Sequence, residues 1–228
     1  MNQLQIDKPN NSKEKIENEP ESYIGVDESG KGDFFGPLII AGFYVNPEII
    51  KELRKLQIKD SKELSDEKVS QLANMLIENF KNYFSIVQIY PKKYNELYSK
   101  IRNLNSLLAW GHARCIENIL MKYKVPLAIC DQFGNESYIK KALMKEGKQI
   151  ELIQTPKAER FIGVAAASIL ARNYFIEWIN KTEKTLGIKI PKGANQKVKE
   201  AAKIIEERLG KEALYEYVKA HFKTFGEI

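Results

Sequence analysis

Hydrophobic positions along the chain change period several times, and each change predicts an element. Residues 1 to 21 show no apolar period, contain Asn10-Asn11-Ser12 and Glu19-Pro20, and predict a mobile, slightly acidic tail. From Tyr23 the character changes. Tyr23-Ile24-Gly25-Val26 predicts a strand, followed by a turn-prone stretch with Gly30, Gly32 and Gly36. Residues 37–45 predict a second strand, so the two suggest a hairpin. Val69, Leu72, Leu76 and Phe80 recur at helical spacing behind Ser65, a plausible N-cap. Residues 84–90 alternate like a strand and stop at Pro91. Residues 103–124 predict a long amphipathic helix, with Leu104, Leu107, Leu108, Ile116 and Ile119 apolar.

The short apolar run Leu127-Ala-Ile-Cys130, ending at Asp131, fits a buried strand. A helix over 136–145, a strand over 149–154, and helices over 163–180, 195–209 and 211–222 complete the reading. Three strands in hairpin-like succession, then strands alternating with helices, predict an α/β layered domain with a mixed five-stranded sheet. The division expected is a tail at 1–21, a core at 22–180, and a helical cap at 181–228 packed on one side.

Composition narrows the class. In 228 residues, 43% are hydrophobic, enough for a sizeable core. The longest apolar runs, 34–45 and 161–171, are too short to span a bilayer, and the N-terminus has no apolar leader segment. Two cysteines cannot make a disulfide framework, so a reducing cytoplasm is the expected compartment. The net charge is +6 and the pI about 9.0, compatible with a polyanionic partner. Most of the excess lies in residues 181–228, where eleven lysines and arginines face seven acidic residues.

Candidate chemistry lies at strand ends. Asp27 and Glu28 stand where the first strand meets the glycine-rich turn; neighbours on a regular strand point to opposite faces, so one shared site requires a bend there. Asp131 ends its strand, and if that strand runs parallel beside the first, both carboxylates reach the carboxyl edge where α/β sheets bind ligands. Glu159 follows the last strand. Each alone reads equally well as a charged turn or a helix cap. Together they repel: two unit charges ~4 Å apart cost about 4 kcal/mol at an effective dielectric near 20. Mg²⁺ or Mn²⁺ relieves such crowding with oxygen ligands, and His112 and His221 are the only histidines on offer for other metals. A carboxylate site of this kind points to phosphoryl transfer.

Gly25-Val-Asp-Glu-Ser-Gly-Lys-Gly-Asp-Phe-Phe-Gly-Pro-Leu38 closely resembles the first motif of the type-2 ribonucleases H, in the variant found in bacterial ribonuclease HIII. Asp60-Ser61-Lys62, Tyr94-Asn95, Asn103-Leu-Asn105, His112, Asp131-Gln132-Phe133, Lys157-Ala158-Glu159, Ala165-Ala-Ala-Ser168, Pro191-Lys-Gly-Ala194 and His221-Phe222 follow in the same order, over residues 22–224. The resemblance implies a ribonuclease H-like fold and metal-dependent endonucleolytic cleavage of the RNA strand of RNA–DNA hybrids, leaving 5′-phosphate and 3′-hydroxyl ends. By the same resemblance Asp27 would bridge two ions, Mg²⁺ or Mn²⁺, with Glu28, Asp131 and Glu159 completing the cluster. Ser29, Gly30, Lys31 and Gly32 would approach the ribose whose 2′-hydroxyl marks RNA. Lys62 would contact phosphate.

Members of this group usually carry a separate N-terminal substrate-binding domain, which residues 1–21 are not expected to supply, so either the basic C-terminal helices take over its work or affinity for hybrid is weaker. No obligate protein partner is implied, and a monomer is expected. The alternatives are incision at single embedded ribonucleotides, as in ribonuclease HII, and a non-catalytic hybrid-binding module. Trp110, Trp178, Tyr215 and Tyr217 read as core or cap residues, and His112 and His221 as structural.

Overall fold

The computed structural model describes residues 18–58 and 61–228, so most of the expected tail, and Asp60 of the Asp60-Ser61-Lys62 motif, lie outside the described residues. The order is β1 (Tyr23–Ser29), β2 (Leu38–Val45), α1 (Pro47–Lys55), α2 (Asp66–Asn79), β3 (Phe84–Ile89), α3 (Pro91–Ile101), α4 (Leu104–Leu120), β4 (Leu127–Asp131), α5 (Ser137–Ala142), β5 (Glu151–Thr155), α6 (Ile162–Leu186), α7 (Gln196–Leu209), α8 (Lys211–Tyr215) and α9 (Lys223–Gly226). The sheet runs β3-β2-β1-β4-β5. β1 pairs antiparallel with β2, and β2 with β3. β4 lies parallel to both β1 and β5. This is the mixed five-stranded sheet that the sequence predicts.

Alternation along the strands splits the core in two. Tyr23, Ile39, Ala41, Phe43 and Ile129 face one apolar layer, built with α1, α2, α6 and α7. Ile24, Val26, Leu38, Ile40, Ala128 and Cys130 face the other, built with α3, α4 and α5. Helix α6 crosses the first face so closely that a Cβ on Gly25 would collide with the backbone of Gly163 and Val164. Among the described residues no helix is long and apolar enough to cross a membrane, and Cys115 and Cys130 are free and buried.

Several boundaries differ from expectation, each for a local reason. Helices α1 and α3 were not anticipated; both start with proline in the first turn, Pro47 behind the Asn46 cap and Pro91 behind Tyr90. Proline's fixed φ and missing N–H suit that position, so Pro91 opens a helix as well as closing a strand. Helix α6 runs past residue 180 to Leu186, where Gly187 takes the left-handed conformation that ends it. The helix expected over 211–222 stops at Tyr215; the following segment turns to form a bridge between Val218 and Phe35. Glu19, inside the stretch read as a tail, accepts from the Ile162 N–H at the start of α6 and from the Tyr23 hydroxyl.

Candidate active site

The first strand does not bend after Val26. It continues in register through Ser29, with Asp27 opposite Ala41 and Glu28 opposite Ile40. The two carboxylates therefore lie on opposite faces of the sheet, which corrects the expectation of a turn there: near the strand's end both faces border the same edge, so a shared site does not need the bend. Asp27 shares the α6 side with Tyr23 and Gly25, while Glu28 follows Ile24 and Val26 toward α4.

On the α6 side, the Ser168 hydroxyl bonds Asp27, as does the Glu28 backbone N–H. Ser168 Oγ also lies 2.8 Å from Ser61 Oγ. Either hydroxyl can donate in that contact. Burial, then the neighbouring Glu28 charge, push the Asp27 carboxyl up to about 7 against these bonds and the Lys62 charge. Asp27 is a carboxylate short of positive charge.

Glu28 is the opposite case. Its side chain is 4% exposed, and both oxygens are taken: Oε1 by Lys31 Nζ at 2.6 Å and Oε2 by His112 Nε2 at 2.9 Å. Burial opposes ionisation, but His112 and Lys31 outweigh it and hold the Glu28 carboxyl down at about 2. His112, wholly buried on α4, packs its ring against Phe133 at 4.8 Å. Its Nδ1 has no hydrogen-bond partner among the described residues.

Asp131 ends β4, one residue beyond the Val26–Cys130 pairing, so it stands level with Asp27 on the adjacent parallel strand. Its Oδ1 accepts from the Ala158 N–H at 3.4 Å. Glu159 sits in a short 3₁₀ segment, Ala158–Arg160, just past β5, entered through Lys157 in the left-handed conformation. Lys62 Nζ approaches Glu159 Oε1 at 3.7 Å and also bears electrostatically on Asp27. Lys31 feels Glu28 first, then Asp27 and Asp131. All four predicted acidic residues thus gather at one sheet edge, with Lys31 and Lys62 among them.

Among the described residues no three Asp, Glu, His or Cys side chains converge into a ready-made ion cage; Glu28 is turned onto His112 and Lys31, and Glu159 toward Lys62. The donor set still fits a hard divalent cation. It offers carboxylate oxygens alone, and the buried Asp27 lacks the counter-charge that such a cation brings.

The glycine loop divides into fixed and open parts. Gly30 has φ +88°, and a Cβ there would strike the Pro37 carbonyl. Gly32 has an ordinary φ and nothing within 4 Å of its missing Cβ. Packing therefore does not require glycine at position 32; its smallness keeps the surface open beside Lys31. Ser29, the last residue of β1, is half-buried. Sequence reasoning missed His112 as the partner of Glu28 and Ser61 as the partner of Ser168, because residues distant along the chain meet there only through the crossings of α4 and α6.

Comparison with known proteins places this arrangement. The ribonuclease HII family model matches residues 24–225, so the chain belongs to that family, and it is a ribonuclease H. More particularly, it is similar to ribonucleases HIII. That of Chlamydia pneumoniae is 47% identical over 217 residues, 94% of this chain and 72% of the relative. That of Protochlamydia amoebophila is 45% identical over 206 residues, 90% of this chain and 68% of the relative. Among solved structures, Bst-RNase HIII in complex with Mn²⁺ superposes with a TM-score of 0.81 at 30% identity, covering 90% of this chain and 68% of that one. Aquifex aeolicus RNase H3 gives 0.70 at 32% identity, covering 87% and 71%.

Proposed function

We propose that this ribonuclease hydrolyses the RNA strand of RNA–DNA hybrids with two divalent cations, leaving 5′-phosphate and 3′-hydroxyl ends. One observation carries the reading. Asp27 and Asp131 stand level on adjacent parallel strands, flanked by Glu28 on β1 and Glu159 just past β5.

Asp27, Glu28, Asp131 and Glu159 would hold two Mg²⁺ or Mn²⁺ ions, which when bound supply the charge that activates a water and stabilises the departing 3′-oxygen. The protein's own part is positioning. Ser168, held by Ser61, favours the ionised form of Asp27, and His112 and Lys31 hold the Glu28 carboxylate in place before substrate arrives. Ser29, Gly30, Lys31 and Gly32 line the approach of the ribose, where a 2′-hydroxyl separates RNA from DNA. Lys62, beside Glu159, is the phosphate contact. The basic 181–228 segment adds sequence-independent grip on the duplex, so affinity falls as salt rises.

The decisive experiment compares wild type with Asp27→Asn on an end-labelled hybrid in Mg²⁺ or Mn²⁺. Cleavage should drop by at least about a thousandfold while hybrid binding stays within about threefold. Undiminished cleavage by Asp27→Asn sinks the reading. A duplex with a single ribonucleotide, run alongside, should be cut far more slowly than one with a ribonucleotide run.

A further inference from the structure

Among the described residues Lys219 is the one buried lysine, with no exposed surface, and its ammonium bonds backbone carbonyls, not the acidic residues proposed for catalysis. Its Nζ donates to three carbonyls of one loop: Asp33 at 2.8 Å, Phe35 at 3.4 Å and Gly36 at 2.6 Å. Its backbone N–H donates to a fourth, that of Phe34, at 2.8 Å. The Tyr94 ring lies 5.8 Å from the ammonium on another side.

The segment bearing Lys219 is itself held. Asn95 Nδ2 donates to the Tyr215 and Val218 carbonyls, and Asn95 Oδ1 accepts from the Ala220 N–H. Gly36 N–H reaches back to the Tyr217 carbonyl at 2.9 Å. From the far end of the loop, Asp33 N–H bonds the Gly30 carbonyl, and Asp33 Oδ1 accepts from the Gly193 N–H. A continuous set of bonds therefore runs from α3 through Lys219 to Gly30.

Burying an ammonium is costly, and burial drives this one's pKa down to about 7. A methionine would fill the same space without that cost, so packing alone does not account for the charge. What the ammonium supplies is three directed donors, enough to hold the Asp33, Phe35 and Gly36 carbonyls inward, while the backbone N–H of the same residue takes that of Phe34 between them.

We propose that Lys219 is a positioning residue that fixes the Gly30–Gly36 loop and thereby the protein's preference for hybrid over DNA duplex. This rests on the reading above, in which Gly30 to Gly32 meet the ribose. The test measures dissociation constants for a hybrid and for a DNA duplex of the same sequence, in full-length chain carrying Asp27→Asn to prevent cleavage. Lys219→Met and Lys219→Gln are added to that background, with folding checked by circular dichroism.

The expected result is a folded Lys219→Met whose hybrid preference falls about tenfold, the factor commanded by one ordinary hydrogen bond. Lys219→Gln, retaining two N–H donors, should lie between it and the parent. A merely structural lysine would lower the melting temperature and leave the ratio of the two constants alone. A folded Lys219→Met with the parent's preference overturns the proposal by itself. So does failure of both variants to fold, which would make the lysine a component of the core only. A parent without hybrid preference removes the reading above, and this inference with it.

Discussion

Ser168 and His112 show how a single side chain sets the state of another. Each gives a hydrogen bond to one of two adjacent carboxylates, yet one carboxyl sits at about 7 and the other at about 2. The difference is the company: Glu28 has Lys31 and His112 on its two oxygens, while Asp27 has neutral donors and the more distant Lys62. Ser168→Ala should therefore cut kcat/KM on hybrid about tenfold by losing one bond to an ionised group. The loss should be greatest below neutral pH, where Asp27 is hardest to ionise. A pH profile of kcat/KM indistinguishable from wild type would remove Ser168 from this role. The acidic residues were legible from sequence through the ordered set of motifs that carries them, since each alone is an ordinary turn or cap residue. The partners were not: His112 lies within an apolar helix face, where a histidine reads as ordinary core.

At the level of elements, the contact between β1 and α6 positions everything else. Gly25 and Gly163 let a strand and a helix touch backbone to backbone, which brings Ser168 within reach of Asp27. Gly25→Ala should cost about 3 kcal/mol by overpacking, seen as a lower urea midpoint, and should impair activity even where the protein remains folded. Strands, and the long helices with one clear apolar stripe, were readable from periodicity. The two proline-led helices were not, because proline after a strand signals a stop as strongly as a start. The helix read through 222 failed differently. Apolar residues at 214, 218 and 222 keep helical spacing, but the bonds that Lys219 and Tyr217 make to the glycine loop outweigh continuation past Tyr215.

For the molecule as a whole, the acidic edge concentrates charge that the proposed cations would offset. Between its ordinary value of 3.8 and about 7, Asp27 holds a proton more tightly folded than unfolded. Stability from this group is therefore present at low pH and lost as pH rises through that window. Glu28 acts oppositely, contributing above 4.5 and losing its contribution only as pH falls toward about 2, so it does not mask the effect. Adding Mg²⁺ or Mn²⁺ should raise the melting temperature by about 3 °C more at about pH 8 than at about pH 5.5. Asp27→Asn should abolish that difference; an equal gain at both pH values would count against ion binding at Asp27. Sheet order and layering were foreseeable from the succession of elements, whereas the carboxylates' allegiance to two different faces depended on strand length, which periodicity leaves loose by a few residues.

That divided allegiance has a consequence for how the enzyme can be altered. Asp27 answers to the layer beneath α6, and Glu28 to the layer beneath α4. A substitution that shifts one helix perturbs one acidic group and leaves its neighbour in place. The two acidic groups are thus anchored from different helices, and a change at one reaches the other through its charge.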